Sequence, residues 1–203
     1  MSAITYEDFA QAFGAGKSAL VATTLIADLE TPVSAFLKLT AGRDGNVFLL
    51  ESVEGGASRG RYSMIGLDPD IIWRAQGDAC EINRRALSDR DHFEPMQQKP
   101  LDGLRALIAE SQIDLPGDLP PMAAGVFGYL GYDTVRLMET LPAPNPDRLG
   151  IPDAVMVRPT LIVVFDAVKD AITVVTPVRP EPAIDAEAAL ARAAERLTGV
   201  IES

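Results

Sequence analysis

With 203 residues, 47% of them hydrophobic, the chain can bury a real core, as one large domain or as two small ones. Its net charge of −11 repels phosphate backbones and anionic lipid, so nucleic acid and membrane surfaces are disfavoured as partners. The lone cysteine, Cys80, has no partner for an internal disulfide. The first residues carry no basic-then-apolar leader, and no apolar run approaches the ~20 residues a bilayer span needs, so a cytoplasmic location is expected.

Thr5 is placed to cap a helix over Tyr6 to Phe13, with Phe9, Ala12 and Phe13 on one face and a glycine stop at Gly14 or Gly16. A β-rich run, Ser18 to Asp28, follows. The junction GAGKS, Gly14 to Ser18, invites a phosphate-loop reading. That motif needs a glycine where this chain has Gln11, and it needs a strand before and a helix after, the reverse of the order here. Thr31 and Pro32 read as the cap and first residue of a helix through Leu39.

The centre of the chain is Val47 to Pro69, VFLLESVEGGASRGRYSMIGLDP. The pattern predicts a buried strand, Val47 to Leu50, delivering Glu51 and Ser52 to a turn at Gly55 and Gly56, then a second strand, Arg61 to Gly66, closed by Asp68-Pro69. An apolar run that ends in Glu-Ser and diglycine can present side chains and backbone amides to a small ligand. It can equally be a hairpin whose polar turn only joins two core strands.

Ile71 to Gln76 and Cys80 to Arg84 read as short strands around a Gly77-Asp78 turn, extending an antiparallel sheet. Leu87 to Lys99 is polar and holds the only histidine, His92, which has no His or Cys at ligand spacing and is assigned no chemistry. Pro100 opens a helix with Leu101, Leu104, Leu107 and Ile108 on one stripe. In the glycine-rich run Met122 to Tyr132, Gly125, Gly128 and Gly131 permit close approach of a ligand or of another strand. Asp133 is expected to cap a short helix to Met138. A loop over Pro142 to Pro152 then leads into a strand, Ala154 to Asp166, which turns at Val168 to Asp170 into Ile172 to Thr176. Pro177, Pro180 and Pro182 mark a linker to a final helix, Ala183 to Ile201, with Ala186, Leu190, Ala193, Leu197 and Ile201 on one side.

Four blocks in this order, TPVSAFLKL (Thr31 to Leu39), LLES (Leu49 to Ser52), RYSMIGLDP (Arg61 to Pro69) and GVFGYLGYDTVR (Gly125 to Arg136), resemble the N-terminal domain of anthranilate synthase component I. The resemblance implies one N-terminal regulatory domain over residues 1–203. It implies an α+β fold of antiparallel β-sheets packed as a sandwich with peripheral helices. It assigns Ser52, with Glu51 and Leu50, to the inhibitory L-tryptophan. It places catalysis, chorismate and Mg²⁺ in a C-terminal domain whose blocks are absent here, so no cofactor and no turnover are expected of these residues. The family's Pro-Tyr-Met, which completes the tryptophan pocket from the C-terminal part, does not occur in this sequence. The implied partners are that catalytic domain and a glutamine amidotransferase subunit, component II. Two other readings stay open: the N-terminal domain of aminodeoxychorismate synthase component I, and a stand-alone small-molecule-binding protein.

Overall fold

The computed structural model describes residues 5–43, 45–52, 60–143, 146–181 and 183–203. The elements in order are α1 (Tyr6–Gly14), β1 (Ala19–Ile26), α2 (Pro32–Thr40), β2 (Phe48–Glu51), β3 (Tyr62–Gln76), β4 (Ala79–Asn83), β5 (Glu94–Pro95) and α3 (Pro100–Glu110). After them come β6 (Phe127–Leu130), a 3₁₀ helix (Tyr132–Leu137), β7 (Ala154–Asp166), β8 (Ala171–Val178) and α4 (Ala186–Ile201). The chain forms two compact units. One gathers Met1–Asp68, Ile113–Ala124 and Thr160–Ser203; the other gathers Pro69–Gln112 and Gly125–Pro159. The pairings of β1 with β8, β8 with β7, β2 with β3, β3 with β4, β4 with β5 and β6 with β7 are all antiparallel. With four α-helices among the described residues, this is the expected α+β class.

In the first unit β8 lies between β1 and β7, in register from Ala19↔Val178 to Ile26↔Ala171 on one side and from Ile162↔Val175 to Asp166↔Ala171 on the other. Its valine and isoleucine run suits a strand buried on both faces, since branched side chains pack well on a pleated surface. Ala35 and Leu39 from α2 and Leu197 from α4 pack with Ile65, Leu67, Val163 and Val174 to form the core. The helix starts follow from local chemistry. Thr31 and Ser34 satisfy each other's backbone N–H in a capping box, with Pro32 in the first turn, and Asp185 accepts from the Ala188 amide. Thr5 likewise accepts from Asp8 at the start of α1, whose Phe9 and Phe13 stack 5.7 Å apart and pack on Ala189 and Ala193. GAGKS falls between helix and strand, so it is a helix stop.

In the second unit Gln76 pairs with Ala79 across a two-residue turn in which Gly77 takes φ +54°. A left-handed residue at the first central position is what a two-residue hairpin loop of this Gly-first order needs. Trp73, Ile82, Leu104, Leu107 and Ala154 make the core. The buried Arg158 guanidinium donates two bonds to Asp70, at 2.8 and 2.7 Å, and one to the Ser111 hydroxyl at 3.4 Å. This pairing satisfies a charge that could not otherwise be buried.

Several expectations need correction. Asp68-Pro69 does not close β3, which continues to Gln76: Asp68 takes φ +49° and its carbonyl accepts the Thr160 hydroxyl at 2.7 Å. A left-handed residue lets a strand run past a position where the sequence reads as a stop. Pro177 is inside β8, opposite Leu20 of β1 and beyond the stretch Ala171 to Val175 that is in register with β7. Asp133 caps nothing; Gly131 is the cap, and Asp133 sits in the first turn paired with Arg136 at 2.6 Å. In α4 the buried positions are Ala189, Ala193 and Leu197, and Ile201 is exposed; in α3 Ile108 is exposed. Gly128 answers the question left open for the glycine-rich run: a Cβ there would lie 1.9 Å from the Val155 carbonyl oxygen, so the glycine serves strand approach. The turn glycines Gly55 and Gly56, and Pro182, lie outside the described residues.

Candidate functional site at the end of β2

The register of β2 on β3 is Phe48↔Gly66, Leu49↔Ile65, Leu50↔Met64 and Glu51↔Ser63. Because alternate side chains point to opposite faces, Val47 and Leu49 reach the core beside the fully buried Ile65. β2 is therefore only half-buried, not the buried strand expected. Leu50 is 51% exposed, and Glu51 and Ser52 are exposed. The Phe48 ring holds this register by lying over Gly66, where a Cβ would sit 2.2 Å from its carbons.

Ser52 follows β2 directly and faces Gly60, the residue before Arg61 and β3. A Cβ on Gly60 would lie 2.0 Å from the Ser52 Oγ, 2.2 Å from its carbonyl oxygen and 2.3 Å from its Cβ. Arg61 is anchored in turn. Its Nε and Nη2 donate to Asp166 Oδ1 and Oδ2 at 3.1 and 2.9 Å, and its carbonyl accepts from the Ala167 amide at 2.9 Å. Its guanidinium also lies 4.7 Å from the Tyr62 ring centre. The Arg61 hydrogen bonds hold the Asp166 carboxyl below the usual carboxylate range; burial opposes this, and the Val168 and Lys169 amides reinforce it.

Ser52, Glu51 and Leu50 expose a hydroxyl, a carboxylate and an apolar side chain at this corner. A hydroxyl donates once and accepts twice, and a carboxylate accepts from an ammonium group. Ser52, Glu51 and Leu50 are consecutive residues at one exposed strand end, with Leu50 and Glu51 pointing to opposite faces of β2. No local sequence signal marks Gly60, Arg61 and Asp166 as neighbours of this corner. Arg61 opens one of the quoted blocks, but the closeness of Gly60 to Ser52 is a contact through space that no local pattern announces.

No family model matches the chain. It is 52% identical over 193 residues to anthranilate synthase component 1 of Cereibacter sphaeroides, an alignment covering 95% of this chain and 38% of that protein. It is 38% identical over 177 residues to the protein of the same name from Thermus thermophilus, covering 87% of this chain and 35% of that one. The chain belongs to the anthranilate synthase component 1 family. It spans a little over a third of the length of these relatives and corresponds to their N-terminal part. A crystal structure of anthranilate synthase component I from Streptococcus pneumoniae shares the fold, with a TM-score of 0.52 at 21% identity, over 88% of this chain and 35% of that one.

Two other places in the chain bear on function. A groove of about 1080 Å³ in the second unit is lined by Gln76, Gly77, Tyr132, Arg136, Arg148 and Asp153, among others. Asp153 accepts from the Gly77 amide at 2.7 Å and Arg136 pairs with Asp133, so these charges serve the local backbone and each other. His92 is partly exposed with its Nε2 3.1 Å from Glu94 Oε1. Among the described residues no cluster of three or more His, Cys, Asp or Glu could hold a metal ion, and no helix is long and apolar enough to cross a membrane.

Proposed function

We propose that this chain is the tryptophan-sensing part of an anthranilate synthase component I. In this reading the longer protein converts chorismate, with ammonia drawn from glutamine by a component II amidotransferase, into anthranilate and pyruvate. These residues regulate that conversion and do not perform it. The observation that carries the proposal is the exposed run Leu50, Glu51 and Ser52 at the end of β2, in a chain 52% identical to a protein of that name. The Ser52 hydroxyl suits a charged α-carbon group of an amino acid and Leu50 suits its apolar side chain, while the Glu51 carboxylate leaves β2 on the other face from Leu50.

Feedback of this kind requires L-tryptophan to bind two states of the full enzyme with different affinities, and it shifts the balance between them by no more than that difference. A hydroxyl bonded to a charged ligand group contributes roughly 1.5 to 3 kcal/mol, about a ten- to hundredfold change in affinity. Calorimetric titration with L-tryptophan is expected to show binding that Ser52→Ala weakens by about that factor. In the full-length enzyme the same change relaxes tryptophan inhibition and spares uninhibited turnover. Equal affinity in the variant and the parent refutes the role of Ser52.

A further inference from the structure

Gly60 occupies an unusual position for a glycine. It is not among the residues with positive φ, so its backbone does not demand glycine for conformational reasons. What excludes a side chain there is Ser52: its hydroxyl, carbonyl oxygen and Cβ all lie within 2.3 Å of the place a Cβ would take. Two of those three atoms belong to or adjoin the backbone, so an added methyl could be accommodated only by moving Ser52 itself. Gly60 cannot retreat freely either. The next residue, Arg61, is tied to Asp166 by a two-pronged ion pair and to Ala167 through its carbonyl, both reaching the turn between β7 and β8. Asp166 is 6% exposed and is itself fixed by the Val168 amide at 3.0 Å. A rigid turn therefore holds Arg61, Arg61 holds Gly60, and the bare Cα of Gly60 sets where the Ser52 hydroxyl stands.

We infer that Gly60 and Arg61 are positioning residues for effector recognition: they touch no effector and set its affinity by fixing the Ser52 hydroxyl. This rests on the reading of Ser52 as an effector contact. The two-pronged geometry makes Arg61 specific, because lysine keeps the charge but not the fork.

The test uses the full-length enzyme and compares Gly60→Ala, Arg61→Lys and Ser52→Ala. The readouts are the L-tryptophan concentration for half-inhibition, and kcat and KM for chorismate without tryptophan. Gly60→Ala is expected to raise the half-inhibitory concentration at least tenfold and Arg61→Lys about threefold, with kcat and KM unchanged in both. A merely structural fault would lower turnover as well. If Ser52→Ala loosens inhibition while Gly60→Ala and Arg61→Lys leave it untouched, the positioning role is refuted and the effector site stands. If Ser52→Ala also leaves inhibition untouched, the effector reading itself fails. Should Gly60→Ala not fold, Arg61→Lys alone decides, its half-inhibitory concentration supporting the inference if raised and overturning it if not.

Discussion

Asp166 accepts four hydrogen bonds on its two oxygens, two from Arg61 and one each from the Val168 and Lys169 amides. Such a carboxylate is stabilised in the folded state, and its acidity is higher there than in the unfolded chain. The sign follows directly. The contribution is complete above the ordinary carboxylate range, about pH 4, and is lost as pH falls through the lower folded value. Asp166→Asn is therefore expected to melt at a lower temperature than the parent at neutral pH, with the gap narrowing as the solution is acidified below about pH 4. Thermal scans across that range check it, and a gap that widens in acid would contradict the pairing. At this scale it is the resemblance of LLES to a known block that singles out Ser52. Asp166 lies 105 residues from Arg61, so nothing local marks the two as a pair.

Among the elements, those governed by near neighbours were legible. Thr31-Pro32 starts α2 and Gly77 makes a tight turn because capping and left-handed geometry are decided within four residues. β3 was misread for the complementary reason. Asp-Pro usually ends a strand, and the Thr160 hydroxyl that holds the Asp68 carbonyl comes from 92 residues away. The half-exposure of β2 was equally hidden, since four apolar letters in a row do not say which faces are covered. The Phe48↔Gly66 pair offers a test of what sets its register. Gly66→Ala forces the ring aside and is expected to cost about 1 to 3 kcal/mol in urea unfolding, as overpacked sites do. Phe48→Leu on that background should recover part of the loss. No recovery would mean that the register is held elsewhere.

For the molecule as a whole, the family and the α+β class were legible from four short blocks, and the division into two units was not. That division depends on which distant segments meet: β3 and β7 each contribute to both units, and a strand carries no mark in its sequence where one unit gives way to the other. Effector binding also has a molecular-scale signature. L-tryptophan at a hundred times its dissociation constant is expected to stabilise the full-length enzyme by about 2.7 kcal/mol, visible as a higher melting temperature. Absence of any shift at saturating tryptophan would count against a site on these residues.

The backbone passes from one unit to the other four times, after Asp68, Gln112, Ala124 and Pro159. Neither unit can thus be cloned, deleted or exchanged as an uninterrupted stretch of gene. A protease that cuts at a single one of these crossings leaves both halves carrying pieces of the first unit. Recombination between related genes can transplant these residues as a set far more readily than either half by itself.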